Sequence, residues 1–539
     1  MSKDASSLPD DPAALRAILL REREQHQQTL AHYEQTVQAQ QRTIEQQQHQ
    51  LARLLRQRYG PKQERIDLNQ LTLFDTSEIL ALAEELTAET EEETGSAPKR
   101  RRKRQGHGRR PLPGHLPREQ RRYELSETER RCPCCGETRV EIGVEQSEQL
   151  EFIPASLKVI EHLRIKYACR ACTEHVAIAD KVPQPIEKGL PGPGLLAQVV
   201  LSKYGDHLPL YRQEDLFSRH GITIRRSTQC GWIAAAADLC EPLYQRMCEL
   251  LRQSKVIHTD DTTVPLLDPL VGRARQARFW AYIGDAAHPY SIYDFTDSRK
   301  RDGPATWLNG FEGYLQADAY GGYDGLFRDP NRNIVEVACW THTRRYWWEA
   351  KTSDPRRAHA ALAYIARLYR VEEAAKDRSS AERCALRQEK SQPILEEFRS
   401  WIESEQSDVL PKSPLGEALR YTLNQWDALQ VYLQDGDLSI DNNLAERTMK
   451  IPALGRKNWL FVASNTGGRR AAILMSLVAS AKANQVEPWH WLRDLFVKLP
   501  ATPSSELDSL LPDRWLQAYP ENRWNIDEIR RQERQNKNR

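Results

Sequence analysis

The sequence has no long hydrophobic run, which argues against a membrane protein. Its longest apolar stretch, Ala471–Ala481, is interrupted by serines and falls short of the roughly 18 residues that a membrane span requires. The amino-terminal segment MSKDASSLPDDPAAL also lacks an apolar core, so we expect no secretory signal. With 40% hydrophobic and 28% charged residues in 539 positions, the composition predicts a polar, soluble protein with several globular domains and no membrane partner.

A large net charge of either sign is also missing, because 77 basic and 75 acidic residues leave only +2. The charges are nevertheless separated along the chain. Residues 84–94 carry six glutamates, and residues 99–110 carry eight lysines and arginines. Such blocks repel themselves and have little to bury, so we predict a charged linker over residues 61–120. The basic block, which includes Arg100, Arg101 and Arg102, is either a solvated linker or an arm that binds phosphate.

Ten cysteines without a secretory signal indicate thiols in a reducing compartment. Four of them form two C-x-x-C pairs, and the segments around the second pair alternate as strands do. Two such pairs supply the four sulfur ligands of a tetrahedral zinc site, with no position left open for chemistry. We therefore predict one structural Zn²⁺ in a small β module over residues 121–185; the alternative is a coincidence of buried cysteines. The predicted ligands are Cys132, Cys135, Cys169 and Cys172.

Apolar residues recur every seven positions in a glycine-free, glutamine-rich segment near the amino terminus, at Leu30, Val37, Ile44 and Leu51. This spacing predicts a coiled coil within residues 1–60, and self-association to a dimer or higher oligomer follows from it. A second apolar row is poorly kept, since Gln40 and Gln47 occupy its positions. A long solvated helix is therefore the alternative.

The segment after the Pro191–Gly194 break reads as helices and resembles a helix-turn-helix region over residues 190–250. Arg225, Arg226 and Thr228 cluster at the start of its second helix, where base and phosphate contacts are made in such motifs. Two amphipathic helices that pack in a bundle would give much the same pattern.

From Lys255 onward the pattern changes to strands, and acidic residues stand at particular positions relative to these strands and the helices between them. A strand ends in the acidic pair Asp260–Asp261, two strands and a helix follow, and the next strand ends in Asp318. After one more strand and a helical block, Glu446 stands in the first turn of a helix. This is the element order of a ribonuclease-H-like core, which places three carboxylates on adjacent elements.

Three such carboxylates can hold two Mg²⁺ or Mn²⁺ ions for in-line displacement at phosphorus, because these cations prefer oxygen ligands. Each acid taken singly has an ordinary alternative. Asp260 or Asp261 fits a turn, and Asp318 fits the start of a loop. Glu446 fits a capping box with Asn443 as the cap, or an ion pair with Lys450.

Several stretches together resemble a transposase of the bacterial insertion-sequence family sixty-six, from about Leu51 to Pro500. The resemblance implies an Asp-Asp-Glu triad at Asp260, Asp318 and Glu446. The family usually has glutamate and threonine after its first aspartate, whereas Asp261 and Thr262 follow here, so the choice between the adjacent aspartates stays open. The matching stretches are HTDDTTVPLL, GYLQADAYGGYDGL, CWTHTRRYWWEA, IDNNLAERTMKIPALGRKNWLFVASNTGGRRAA, RQRYGPKQERI, GRRPLPGHLPRE and SKYGDHLPLYRQ.

The resemblance also implies activity and partners. Metal-dependent hydrolysis would free a 3′-hydroxyl at each element end, and transesterification would join it to target DNA. Double-stranded DNA and small companion proteins encoded nearby would be the partners, at the nucleoid in a bacterial cytoplasm. Alternatives are a non-catalytic zinc and helix-turn-helix regulator, or a structure-specific nuclease without strand transfer.

Further DNA contacts are expected beside the triad. His342, Arg344 and Arg345 follow the fifth strand and either hold a phosphate or begin an ordinary polar helix. Arg447 and Lys450 follow Glu446 and are expected to contact phosphate as well.

The predicted fold class is multidomain α+β. The coiled coil, charged linker, zinc module and helix-turn-helix are followed by a ribonuclease-H-like α/β core over residues 251–343 and 437–500, an all-helical insertion over residues 344–436, and a tail over residues 501–539.

Overall fold

A computed structural model describes residues 183–187, 189–268, 273–318 and 320–524, together with residues 19–33, 35–37, 166–168, 176–178 and a few isolated positions. The chain divides into one unit of residues 1–93 and 163–539 and a second unit of residues 94–162. In the second unit only residues 157, 159 and 160 are described, and all three are exposed. The four predicted zinc ligands and the arginines at positions 100–102 therefore lie outside the described residues.

Residues 19–33 are helical, as the heptad pattern requires. Leu30, Val37 and Ile44 are exposed by 48%, 61% and 48%. Both a coiled coil and a solvated helix have this helix in common, so the coiled coil stays a prediction. Strands β1 (Lys166–Ala168) and β2 (Val176–Ile178) pair antiparallel within the predicted zinc module.

Three helices precede the main sheet: α1 (Pro193–Tyr204), α2 (Leu210–Arg219) and α3 (Arg226–Leu251). Gly221 has a φ of +77° in the turn between α2 and α3, a conformation that glycine adopts without a steric cost. The buried faces of these helices, with residues such as Val200, Trp232 and Leu243, belong to the same hydrophobic core as the sheet.

The sheet has five strands in the spatial order β5-β4-β3-β6-β7. Strands β3 and β4 pair antiparallel, β4 and β5 pair antiparallel, and β6 and β7 run parallel to β3. Helix α4 (Asp302–Trp307) precedes β6, and α5 (Asp324–Phe327) precedes β7. The strands are β3 (Val256–Asp268), β4 (Arg273–Ile283), β5 (Ser291–Thr296), β6 (Gly313–Gln316) and β7 (Ile334–Val337).

Three predicted strand ends need correction. Strand β3 continues past the acidic pair Asp260–Asp261 to Asp268, so the pair lies inside the strand and not at its end. Strand β6 ends at Gln316, so Asp318 lies two residues beyond it and not at its last position. The apolar segment around Cys339 and Trp340 is not strand, because Trp340 begins a helix and packs in a second core.

After β7, the described part of the block between Asp318 and Glu446 consists of helices joined by turns, with no strand. Its second core contains four tryptophans and Phe398, whose ring stacks on Tyr364 with centroids 5.0 Å apart. A single turn of π-helix at Arg387–Ser391 joins the helices that end at Leu386 and begin at Gln392. The helices are α6 (Trp340–Ala350), α7 (Pro355–Ala375), α8 (Ser380–Leu386), α9 (Gln392–Glu405), α10 (Pro414–Asn424) and α11 (Trp426–Gln430).

The chain then returns to the first core through α12 (Asn443–Thr448), α13 (Lys450–Trp459), α14 (Asn465–Ala483) and α15 (Pro488–Lys498). Helix α14 contains the longest apolar run of the sequence. The serines that interrupt this run face β5, where Ser476 Oγ and Ser480 Oγ accept hydrogen bonds of 2.8 and 3.1 Å from backbone N–H groups. No helix among the described residues is long and apolar enough to cross a membrane.

Part of the predicted tail over residues 501–539 is folded. Helix α16 (Pro512–Ala518) packs on the first core through Trp515 and Leu516. The Trp515 indole donates a hydrogen bond of 2.7 Å to Asp494, and Asp508 pairs with Arg246 at 2.6 Å. Buried leucines between polar residues give this segment an apolar face that its overall polarity conceals. Residues 525–539 lie outside the described part of the chain.

Candidate active site

Asp260 and Asp261 are neighbours on β3, and their side chains meet different surroundings because successive side chains of a strand point to opposite faces. The Asp261 carboxylate is 2% exposed and pairs with Arg278 at 2.5 Å and with Arg299 at 2.8 Å. The Arg299 guanidinium also lies 3.7 Å from the centre of the Tyr320 ring. Asp261 is therefore neutralised by two arginines.

Asp260 has different partners. Its Oδ1 accepts a hydrogen bond of 2.8 Å from the backbone N–H of Asp261. The pKa of the Asp260 carboxyl is raised to about 7, chiefly by burial, and the negative charges of Asp318, Asp261 and Glu446 contribute in the same direction. Asp260 is thus a desolvated acid within the electrostatic reach of the other predicted carboxylates.

Asp318 follows β6 and is also largely buried. Burial raises the pKa of its carboxyl, and the charges of Asp261 and Glu446 act in the same direction. The positive charges of His342 and Arg299 oppose this shift. The structure therefore places Asp318 among both acidic and basic groups.

Glu446 lies in the first turn of α12, but the capping box is wrong. The helix begins one residue earlier than predicted, with Asn442 at the cap position and no side-chain capping bond. Glu446 Oε1 is buried without a hydrogen-bond partner and lies 3.7 Å from His342 Nε2. Within the described residues, the ion pair of Glu446 is with His342 and not with Lys450.

Asn442 is a site residue that the sequence reasoning missed. Its side chain is fully buried, and its Nδ2 donates a hydrogen bond of 2.8 Å to the carbonyl oxygen of Thr259. Its Oδ1 lies 3.1 Å from His258 Nδ1, and its backbone N–H donates to Cys339 Sγ at 3.2 Å. Asn442 therefore ties α12 to the strand of Asp260 and to the residue that precedes α6.

Asp441 makes a second connection. Its Oδ2 accepts hydrogen bonds from Asn443 Nδ2 at 2.6 Å and from the Tyr369 hydroxyl at 3.0 Å. Tyr369 belongs to α7, so the helical block contacts the turn that begins α12. The sequence analysis also missed Arg278 and Arg299. The signal that could have found them is Asp261, because a buried carboxylate needs a cationic partner.

The predicted DNA contacts fall into two groups. His342 contacts Glu446. Burial lowers the pKa of His342, the charge of Glu446 opposes this shift, and the positive charge of Arg345 adds to it. Arg344 lies on the same helix as Arg345, and the exposed residues Arg447 and Lys450 lie on α12 and α13. Arg225, Arg226 and Thr228 form a separate exposed group at the start of α3.

The donor chemistry of the three carboxylates fits a hard divalent cation. Each offers oxygen ligands, and the partnerless oxygen of Glu446 is the kind of buried atom that a cation satisfies. Among the described residues, no group of three or more His, Cys, Asp or Glu side chains is already close enough together to hold a metal. Like charges repel, and Glu446 lies against His342. The residues thus supply the ligand types, but not a closed coordination cage.

Comparison with known proteins identifies the family. A model described as Transposase IS66 family matches residues 188–470, and an IS66 C-terminal element matches residues 476–512. A zinc-finger binding domain of transposase IS66 matches residues 129–173, which contain the four predicted zinc ligands. A model described as Transposase C of IS166 homeodomain matches residues 46–121, which include the predicted charged linker.

Full-length relatives agree with this assignment. The uncharacterized protein y4qI of Sinorhizobium fredii is 32% identical over 533 residues, covering 94% of this chain and 97% of that protein. A second, y4jD of the same organism, is 34% identical over 419 residues, covering 75% of this chain and 81% of that protein. Because the main family model covers more than half of the chain, the chain belongs to the IS66 transposase family.

Proposed function

We propose that this protein is a DNA transposase that cuts element ends and joins them to target DNA, with a ribonuclease-H-like core as its catalytic domain. The electrostatic grouping of Asp260, Asp318 and Glu446 carries the proposal. The sheet order and the helical block between the second and third carboxylates support it. The coarser assignment, a transposase family with DNA-binding modules, follows from the matched models.

Asp260, and not Asp261, is the first carboxylate in this proposal. A metal ligand needs a carboxylate whose charge is available, and Asp261 already has two arginine partners. Among the described residues Asp260 has no arginine partner, and its burial and acidic neighbours raise its pKa. A bound cation would favour its ionised form, since an opposite charge lowers the pKa of a carboxyl.

Two divalent ions, when bound by these carboxylates, would activate the attacking oxygen and neutralise the leaving one. The protein's own residues have separate tasks. Asn442 fixes Glu446 relative to β3, His342 holds the Glu446 carboxylate, and Arg299 offers a guanidinium beside Asp318 for a phosphate oxygen. Water would first displace the 3′ oxygen at the element end. The freed 3′-hydroxyl would then attack a phosphodiester of the target and displace the target's 3′ oxygen, so one phosphodiester bond replaces another and no serine or tyrosine nucleophile is required.

Recognition of the element ends is assigned to the other modules. In the zinc finger, one Zn²⁺ ion would be bound by the cysteine thiolates that structural zinc prefers as ligands. These cysteines are Cys132, Cys135, Cys169 and Cys172. The homeodomain-like region and the basic group on α3 would contact DNA. Self-association through the amino-terminal helix would bring two ends together, and companion proteins encoded nearby would assist at the nucleoid.

The test is Mg²⁺-dependent cleavage of a plasmid that carries the DNA flanking the gene, with the neighbouring gene products supplied. Wild type is compared with Glu446→Gln, which keeps the size of the side chain and removes its charge. We expect cleavage at the element ends and joined products from wild type alone, with equal DNA binding by both. Equal cleavage by both proteins would remove Glu446 from the site. Cleavage without joining would indicate a nuclease, and binding without cleavage a regulator.

A further inference from the structure

The exposed residues of α12 and α13, together with the two residues that follow α13, form a stripe of unusual composition. It consists of Leu444, Arg447, Lys450, Leu454, Lys457, Leu460 and Phe461. From Leu444 to Lys457 the spacing of three or four residues places the exposed side chains on one side of the two helices, while Ala445 and Gly455 are buried on the other. Leu460 and Phe461 continue the stripe in the turn after α13. We call this surface the α12–α13 stripe.

The stripe combines cations with large apolar side chains and has no acidic residue. Leu444, Leu454, Leu460 and Phe461 are exposed by 37%, 47%, 61% and 43%. Across the described part of the chain, no carboxylate lies within ion-pair distance of the stripe's three cations, Arg447, Lys450 and Lys457. A helix face that only meets water would more often mix charges of both signs.

The end of the stripe is held in a strained turn. Leu460 has a φ of +65°, which is unfavourable for a residue with a branched side chain, and the backbone N–H of Phe461 donates to the carbonyl of Trp459 at 2.8 Å. The turn thereby directs two neighbouring apolar side chains to the surface. Strain of this kind persists only where the surrounding structure enforces it.

Both sides of this turn are fixed to the first core. The Trp459 ring meets Phe279 edge-on at 6.5 Å. On the other side, Val462 N–H donates to Pro265 at 2.9 Å, and Val462 accepts from Leu267 N–H at 2.9 Å. Pro265 and Leu267 lie on β3, the strand of Asp260. The exposed residues Leu460 and Phe461 are therefore connected through Val462 to the same strand that carries Asp260.

We propose that the α12–α13 stripe binds the DNA next to the scissile phosphate, with Leu460 and Phe461 inserted at a base step. This inference rests on the proposed function and names how the substrate is held. The cations match the phosphates in charge, and the apolar tip matches the faces of the bases, which are the apolar part of a nucleic acid. The stripe begins two residues before Glu446, so DNA that lies along it passes the carboxylates.

The test uses the full chain with Glu446→Gln as background, so that DNA is bound but not cut. The probe is a duplex of the DNA flanking the gene, with 2-aminopurine placed at successive steps near the element end. With the stripe residues unchanged, we expect the protein to unstack the bases at one step and to raise the fluorescence of the 2-aminopurine placed there. Phe461→Ala and Leu460→Gly should abolish that signal and weaken binding about tenfold, as the loss of a stacked base does.

Matched variants separate this effect from misfolding. Leu460→Gly suits the positive φ, so its Tm should equal or exceed that of the parent. Val497→Ala removes an equally exposed apolar side chain on α15 and should leave binding unchanged. Lys457→Ala should reduce the slope of log K against log salt by about 1 with the fluorescence signal retained, whereas exposed Lys412→Ala should not.

Two results would overturn the inference. One is a signal that is absent in the parent or unchanged in Phe461→Ala. The other is unchanged DNA binding with an altered oligomeric mass, which would make the stripe a protein interface. Both leave the proposed function standing, because that depends on cleavage by the wild type. Conversely, an intact stripe effect with no cleavage by wild type would overturn the proposed function alone.

Discussion

The side-chain amide of Asn442 donates a hydrogen bond of 2.8 Å to the carbonyl oxygen of Thr259. Thr259 precedes Asp260 on β3, and Asn442 is the cap residue of the helix that carries Glu446. One buried side chain thus sets the distance between two elements that are about 180 residues apart in the sequence. The relative placement of the first and third carboxylates depends on it.

Asn442→Ala should therefore weaken both stability and cleavage. The change leaves a buried carbonyl oxygen and His258 without a partner, which costs about 1–3 kcal/mol in the free energy of unfolding. A purely structural role would lower only stability. A positioning role also raises the Mg²⁺ concentration needed for half-maximal cleavage, which a metal titration of plasmid cleavage measures.

The matched control for this prediction is Asn331→Ala. Asn331 is exposed, and its side chain makes no hydrogen bond within the described part of the chain except that of 3.2 Å to the nearby Asp329. We expect no change in unfolding or in the metal titration. If Asn442→Ala lost stability but kept the wild-type metal dependence, the positioning role would be wrong.

The adjacent aspartates should respond oppositely to loss of charge. Asp260→Asn removes a carboxylate that repels Asp318 and Glu446, so it should raise the Tm and abolish cleavage. Asp261→Asn leaves Arg278 and Arg299 without their shared partner and should cost about 2–3 kcal/mol. Thermal unfolding and cleavage of both variants, measured in parallel, check the pair. A stabilised Asp261→Asn protein would reverse the assignment.

Arg387 is the most heavily engaged cation of the helical block. It is 2% exposed, and its five N–H groups all donate: two to Glu372 and three to the carbonyls of Tyr432, Asp435 and Leu438. These carbonyls belong to the segment that leads back toward Asp441. The arginine therefore connects the block to the return of the chain.

Arg387→Ala should cost about 3–5 kcal/mol in urea unfolding, because it leaves Glu372 and three carbonyls unpaired. Arg387→Lys should recover only part of this loss, since lysine has three donors on a single nitrogen. The control is Arg399→Ala, which removes an exposed pair with Glu403 at 2.8 Å and should change stability by less than about 0.5 kcal/mol. Equal effects at positions 387 and 399 would contradict the proposed connection.

The sequence predicted the order of the strands and the helical block, because strand alternation and helical periodicity are local patterns. It did not distinguish Asp260 from Asp261, because the two lie on opposite faces of one strand and only the arginines of neighbouring elements decide their environments. The start of α6 was missed for a similar reason: the apolar residues up to Trp340 resemble a strand, and only the second core explains the helix.

Asn442 and Arg299 were missed because their roles are long-range. Asparagine in a turn is common, and nothing local indicates that Asn442 reaches back to Thr259. Arg299 follows β5 among charged residues that resemble a surface loop, but its guanidinium packs between Asp261 and the ring of Tyr320. Contacts of this kind connect elements that are distant in the sequence, so no local pattern reveals them.

Glu336 on β7 makes stability depend on pH. It lines a cavity of about 450 Å³ together with Asp324, Arg328 and Asp427. Burial raises the pKa of the Glu336 carboxyl to about 7, and the charge of Asp324 adds to the shift. The folded protein therefore holds this proton more tightly than the unfolded chain, whose pKa is near the ordinary 4.5. Its contribution to stability is complete below pH 4.5 and is lost as the pH rises through about 7.

Glu336→Gln should consequently stabilise the protein above pH 7, by at most about 3 kcal/mol, and have little effect near pH 4.5. Asp294, whose pKa burial raises to about 6, contributes with the same sign and remains in both proteins, so the comparison isolates Glu336. The measurement is the Tm of both proteins across this pH range, with the exposed Glu312→Gln as the control. A stabilisation that is the same at both ends of the range would mean that folding does not change the pKa of Glu336, and the buried-acid explanation would be wrong.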